Sequence, residues 1–294
     1  MGDQLSHFTS ESARERFLAA YDEAMKRWPE HRTLDLPTEY GMTRVWSAGS
    51  DPRPPIVLLH GSQGTSANWW RMIHGLCADR SVYAIDTIDD PGGSVQTVDA
   101  KEASAKARWL DQVLDQLPTS KVHLVGVSYG GWLALNQAVR GSSRLQSVVL
   151  LDPGGLEKVP ASFYAQMLLG LPAAVAPKRL RPWLARRLAN PALVEPPDQL
   201  KPVMLAARTW RANRPAAAVV PDEELRTIDV PMLIVLAQRS VLLKPERARQ
   251  RAEKEIPGIR TILMPGVGHG LILEEPNEVN RHILEFIATH EAAG

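Results

Sequence analysis

The run Val122-His123-Leu124-Val125-Gly126-Val127-Ser128-Tyr129-Gly130-Gly131 constrains this chain more than any other. Its first half reads as a buried strand, and the residues after it open a helical pattern, Gly130 to Arg140. Ser128 sits in the turn between them, with Gly126 two residues before and Gly130 two residues after. A turn this tight brings those two positions together, where larger side chains would clash, and it holds the serine in a strained backbone conformation. The hydroxyl then projects from the start of the helix, where the helix dipole and free N–H groups favour negative charge.

The rest of the chain is consistent with such a turn. Strand patterns recur at Arg44 to Ser47, Ile56 to His60, Val82 to Asp86, Ser147 to Asp152, Met232 to Gln238 and Thr261 to Met264. Several are continuous apolar runs, such as Ile56-Val57-Leu58-Leu59 and Leu233-Ile234-Val235-Leu236, as strands covered on both faces of a parallel sheet require. Helical patterns lie between them at Lys101 to Leu117, Pro245 to Glu255 and Pro276 to His290, and a leading amphipathic helix spans Ser12 to Trp28. The reading is an α/β fold: a mostly parallel sheet with helices on both faces. The alternation stops between Leu156 and Leu225, where ten prolines cut an Ala- and Arg-rich stretch containing Phe163, Tyr164, Met167, Trp183 and Trp210. The expected organisation is a core of residues 1–155 and 226–294 with a helical lid, 156–225, over the C-terminal ends of the strands.

Composition narrows the function classes. The 294 residues are 44% hydrophobic and 23% charged with a formal net charge of +1, an ordinary globular balance that offers no electrostatic capture of nucleic acid or of an anionic membrane. Cys77 is the only cysteine, so an internal disulfide and a thiolate metal site are excluded. The eight histidines are scattered, and neither an H-E-x-x-H pair nor a nucleotide-binding glycine pattern is present. No metal and no cofactor are expected. Met1 to Ser12 lacks the basic patch and apolar run of a signal peptide, and no stretch is long and apolar enough to insert in a membrane. The expected location is the cytoplasm.

A serine hydroxyl is a weak nucleophile and needs a base within hydrogen-bond reach. His269 is the best placed, in the glycine-rich loop Met264-Pro265-Gly266-Val267-Gly268-His269-Gly270 between the last strand and the last helix. His60, His123, His282 and His290 lie within or at the ends of regular elements and read as structural or solvated. An oxyanion formed by attack of Ser128 on an acyl carbon needs backbone N–H donors. Tyr129, immediately after the serine, supplies one. The turn His60-Gly61-Ser62-Gln63-Gly64 supplies the other, assigned to Ser62 with Gln63 as the adjacent alternative.

These pieces in this order resemble the α/β-hydrolase superfamily from about Leu34 to Ala288. The run Asp86-Thr87-Ile88-Asp89-Asp90-Pro91-Gly92-Gly93-Ser94 is similar to the D-x-x-G-D-P-G-x-S turn of a bacterial carboxylesterase group that includes arylpropionate-ester hydrolases, as are Phe163-Tyr164 and Pro221-Asp222-Glu223-Glu224-Leu225. The resemblance implies a serine hydrolase; the expected substrate is a carboxylic ester, or a thioester, of a small lipophilic compound, with Gln63, Trp132, Phe163, Tyr164 and Met167 as candidates to line its pocket. It also exposes a departure. The superfamily places its triad acid after the strand equivalent to Met232 to Leu236, and here that turn reads Ala237-Gln238-Arg239-Ser240. Three readings follow: the acid has moved to Asp152; Ser128 and His269 act alone, with Ser240 or water orienting the imidazole; or the fold serves a non-hydrolytic reaction, a cyclisation or elimination. A ligand-binding protein on the same scaffold is a further alternative. Oligomeric state is not written in the sequence.

Overall fold

The Ile56-Val57-Leu58-Leu59 run forms a strand in which every residue is buried, and the same holds for Val122–Val127. The computed structural model describes residues 5–78, 80–161, 163, 176–177, 179–187, 194–214 and 216–291. Strand β1 (His7–Phe8) and helix α1 (Glu11–Met25) precede strands β2 (His31–Thr38), β3 (Gly41–Ala48) and β4 (Ile56–Leu59). There follow α2 (Ile73–Leu76), β5 (Val82–Ile85), β6 (Val95–Gln96), α3 (Ala103–Asp115), β7 (Val122–Val127), α4 (Tyr129–Arg140) and β8 (Leu145–Leu151). After the segment between β8 and the rest of the sheet come β9 (Trp210–Arg211), β10 (Met232–Arg239), the helix Pro245–Glu255, β11 (Arg260–Gly268) and the helix Pro276–Glu291.

The large sheet runs in the order β11-β10-β8-β7-β4-β5-β3-β2, with β6 alongside β3. From β11 to β5 every pairing is parallel, and β3 then pairs antiparallel with both β5 and β2. Alternate residues of one strand feed opposite apolar layers, as the two-residue period of a pleated strand dictates. Val57 and Leu59 join α3 and α4 through Trp109, Val113 and Leu133. Ile56 and Leu58 join α1 and the last helix through Phe17, Tyr21, Ile283 and Phe286.

The structure departs from the sequence pattern in several places, among them strand β11, which runs through the expected glycine-rich loop as far as Gly268. Helix α1 begins at Glu11 because Ser10 caps it, its hydroxyl accepting from the Ala13 N–H at 3.1 Å; it ends at Met25, and Trp28 packs in the core beyond it. Strand β2 is absent from the sequence expectation. It is the outermost strand of the sheet and alternates between half-buried and exposed, so it carries Pro37 where no neighbour needs the missing N–H.

Within the segment between β8 and β10, the helices Arg181–Arg187 and Pro197–Thr209 are described. The second is fastened to α1: the Gln199 side-chain amide donates to the Ala24 carbonyl at 2.8 Å, and Arg27 pairs with Asp198 at 3.0 Å. Strand β1 pairs antiparallel with β9, Phe8 opposite Trp210.

Candidate active site

Strand β7 delivers Ser128 to the start of α4 with φ 54° and ψ −112°, a backbone conformation that a non-glycine residue adopts only under constraint. The constraint is visible on all sides. The Ser128 N–H donates to the Leu151 carbonyl at 3.0 Å, and its carbonyl accepts from Trp132 at 3.1 Å and from Gly154 at 2.9 Å. A methyl group on Gly126 would lie 2.2 Å from the Gly130 carbonyl oxygen, and one on Gly130 would lie 2.2 Å from that of Leu59. Both glycines are steric requirements of the turn.

Asp152, one residue past β8, also has positive φ, 43°. Its N–H donates to the Val235 carbonyl at 2.8 Å, which holds the end of β8 against β10. The carboxylate is fully buried. Its Oδ1 accepts from the Ala237 N–H at 3.2 Å, and its Oδ2 accepts from the Ser240 hydroxyl at 2.6 Å. The same Oδ2 lies 2.6 Å from Nδ1 of His269, whose Nε2 lies 3.0 Å from Ser128 Oγ. The two ring nitrogens thus face a carboxylate and a hydroxyl. Phe163 meets the imidazole edge-on, with centroids 5.9 Å apart. Ser240 donates to Asp152, and the group beside Nδ1 of His269 is the Asp152 carboxylate.

On the other flank of Ser128, the Gly61–Gly64 turn runs beside the elbow. Gln63, at φ 56°, donates its N–H to Asp90 Oδ1 at 2.9 Å. The N–H groups of Ser62 and Tyr129 donate to no acceptor among the described hydrogen bonds. Trp132 is buried and stacks on Tyr129 with ring centroids 5.2 Å apart; Tyr164 and Met167 lie outside the described residues. The Asp86 to Ser94 turn braces this flank. Asp86 accepts from the Tyr21 hydroxyl at 2.7 Å, from the Ser66 hydroxyl at 2.7 Å and from the Gly93 N–H at 2.8 Å, and the Ser94 hydroxyl closes the turn on the Asp86 carbonyl at 2.6 Å. Burial, with Asp86 beside it, pushes the Tyr21 phenol well above its usual range.

Residues 56–282 match the model of the alpha/beta hydrolase family. The chain belongs to that family. Among curated proteins, this α/β-hydrolase is 29% identical over 278 residues to an uncharacterized carboxylesterase, nap, of Bacillus subtilis, covering 92% of each chain. It is also 29% identical to carboxylesterase YbfK of the same organism, over 92% of this chain and 93% of that one. The solved naproxen esterase of Bacillus subtilis superposes with a TM-score of 0.82 at 28% identity, across 93% of this chain and 97% of that chain.

One part of the α/β-hydrolase site lies beyond the sequence reading. Arg214, from the segment after β9, reaches Ser62 Oγ at 2.5 Å and Asp90 Oδ1 at 3.2 Å, and its guanidinium carbon lies 3.7 Å from the centre of the Tyr129 ring. Arg214 follows Arg208 and Arg211 at even spacing in a proline- and alanine-rich stretch, a pattern that carries no signal distinguishing a buried arginine from a solvated one. Among the described residues no helix is long and apolar enough to cross a membrane.

Proposed function

We propose that this α/β-hydrolase cleaves a carboxylic ester, or a thioester, of a lipophilic acyl or aryl compound through an acyl-enzyme on Ser128. The observation that carries the reading is the unbroken series of contacts Ser240 to Asp152, Asp152 to His269 and His269 to Ser128, at 2.6, 2.6 and 3.0 Å. Full-length similarity to carboxylesterases supports the same chemistry, and the enzyme is a hydrolase of the esterase type. A lipophilic substrate is supported by Phe163 against the imidazole.

Ser128 Oγ attacks the carbonyl carbon as its proton passes to Nε2 of His269. The carbonyl oxygen becomes an anion facing the amides of Ser62 and Tyr129, at the N-terminus of α4, where fixed dipoles stabilise it without reorganisation. Gln63 is the weaker candidate for this role because its amide is committed to Asp90. Asp152 holds the imidazole with Nδ1 protonated and stabilises the imidazolium that forms. Collapse breaks the bond to the alcohol, which leaves with the proton from Nε2. A water then gives a proton to Nε2 and attacks the acyl carbon; collapse of the second adduct frees the acid and returns the proton to Ser128.

The test is labelling with a fluorophosphonate together with turnover of a short-chain aryl ester, comparing the native protein with Ser128→Ala. Native labelling and turnover should both be lost in the variant, turnover by about 10⁶-fold if the serine and its partners act as a unit. A folded native protein that neither labels nor turns over would overturn the assignment.

A further inference from the structure

Four charged groups lie together on the flank of Ser128 opposite His269. Asp90 is fully buried and Asp89 is 2% exposed at its side chain; Lys106 is 1% and Arg214 7% exposed. Lys106 Nζ meets Asp89 Oδ2 at 2.5 Å, and Arg214 Nε approaches the same oxygen at 3.8 Å. Arg214 Nη2 donates to Asp90 Oδ1 at 3.2 Å. That oxygen also accepts the Gln63 N–H, while Asp90 Oδ2 accepts from the Thr87 hydroxyl at 3.2 Å. Charges buried this deeply are tolerated when they are paired and hydrogen-bonded.

The arginine does more than neutralise. The same Nη2 donates to Ser62 Oγ, and the guanidinium carbon lies over the ring of Tyr129. One side chain therefore touches both residues whose amides would meet the oxyanion. It comes from the chain that returns from the insertion to the core. We infer that Arg214 is a positioning residue for the oxyanion site, tying that returning arm to Ser62 and Tyr129 and setting the separation of their two amides; the inference rests on the reading of Ser128 as nucleophile. Removing it frees the Ser62 turn on one side, uncovers the Tyr129 ring on the other, and leaves Asp89 with Lys106 and Asp90 with no cation among the described ion pairs. The local charge then becomes negative beside the place where a transient anion must form, which raises the barrier electrostatically as well as geometrically. Lysine at this position would keep the charge but lose the planar fork and the stacking.

The experiment compares native enzyme, Arg214→Gln and Arg214→Lys in kcat and KM for a short-chain aryl ester, each normalised to serine titrated to completion with a fluorophosphonate. It adds the Ki of an aryl trifluoromethyl ketone, to whose carbonyl Ser128 Oγ adds to give a tetrahedral oxyanion as the proton moves to His269. For Arg214→Gln, kcat per labelled serine is expected to fall roughly 10- to 100-fold with KM within about threefold and Ki rising in step, and Arg214→Lys falls between. A loss of folded protein alone lowers the titrated fraction and leaves these ratios unchanged. A kcat loss below about fivefold per labelled serine, or a kcat loss without a rise in Ki, overturns the inference. Should Arg214→Gln fail to fold, Asp90→Asn weakens the same anchor and is held to the same thresholds. Native enzyme that does not label or turn over defeats the underlying reading; native enzyme that does both, with Arg214→Gln unaffected, defeats only the role of Arg214.

Discussion

Strand β7 runs between two histidine–carboxylate pairs of opposite character. At its N-terminal end His123 is fully buried, with Nδ1 2.8 Å from the Ser147 hydroxyl and Nε2 3.2 Å from Glu291. Glu291 is also held by Arg80, one guanidinium nitrogen lying 3.0 Å from its second oxygen. Burial pushes the His123 imidazole down to about 4, against a smaller upward pull from Glu291. At the C-terminal end His269 faces Asp152, which has no ion-pair partner other than His269 among the described residues and is otherwise held by a hydroxyl and a backbone amide. The imidazole there is 18% exposed and has a serine hydroxyl on its other nitrogen. A carboxylate beside a histidine is thus not enough for acid–base work. Burial of the ring, with an arginine already pairing the carboxylate beside it, keeps His123 neutral; His269 instead faces a carboxylate with no cation partner among the described residues, is partly exposed, and carries a serine hydroxyl on its other nitrogen, the arrangement the proposed mechanism uses.

The contrast can be broken most severely at Asp152. Asp152→Asn keeps the shape but removes the charge that stabilises an imidazolium, and turnover of the aryl ester should fall by about 10⁴-fold with KM little changed. A fall of less than about tenfold would return Ser128 and His269 to the status of a pair acting alone. Ser240→Ala removes one donor from the same carboxylate and should cost roughly tenfold or less in kcat, because Ala237 and His269 remain. Equal losses from the two variants would mean that Ser240 is as necessary as the acid.

The third test lies at the other end of the strand and concerns stability rather than rate. His123 has its folded pKa depressed, so above pH 6.5 both folded and unfolded chains carry it neutral. As pH falls from 6.5 towards about 4 only the unfolded chain takes up the proton, and folding weakens by roughly 2–3 kcal/mol from this group. Urea unfolding at pH 7 and pH 4.5 should show that loss in the native protein and a smaller one in His123→Gln, with ester turnover at pH 7 unaffected. An unchanged acid slope in His123→Gln would place the acid sensitivity elsewhere.

The readable parts of this molecule are those in which local pattern and local structure coincide. The central strands announce themselves because burial on both faces demands continuous apolar runs, and the Ser128 turn because two glycines are sterically obligatory at fixed spacing. His269 is legible from the glycine-rich run before the last helix, although that run belongs to β11 as far as Gly268 and is not the loop the pattern suggests. Asp152 is legible only as one of three possibilities, since choosing among them requires knowing that β8 and β10 are neighbours and that Ser240 arrives beside it. Strand β2 escapes because an edge strand needs neither a continuous apolar run nor every backbone donor. Arg214 escapes for a different reason: its partners Ser62, Asp90 and Tyr129 lie 152, 124 and 85 positions away, and no local rule links them.

The short pairing of β1 with β9 extends this last point. The Ser6 hydroxyl accepts from the Asn213 N–H at 2.9 Å, and the Thr9 N–H donates to the Thr209 carbonyl at 2.8 Å. Ser6 and Thr9 therefore clamp both ends of the stretch that leads to Arg214. For anyone redesigning this enzyme the segment Ser6 to Thr9 is not spare chain. A purification handle spliced close to Ser6, or a shortening that removes β1, unties a strut whose far end rests on Ser62.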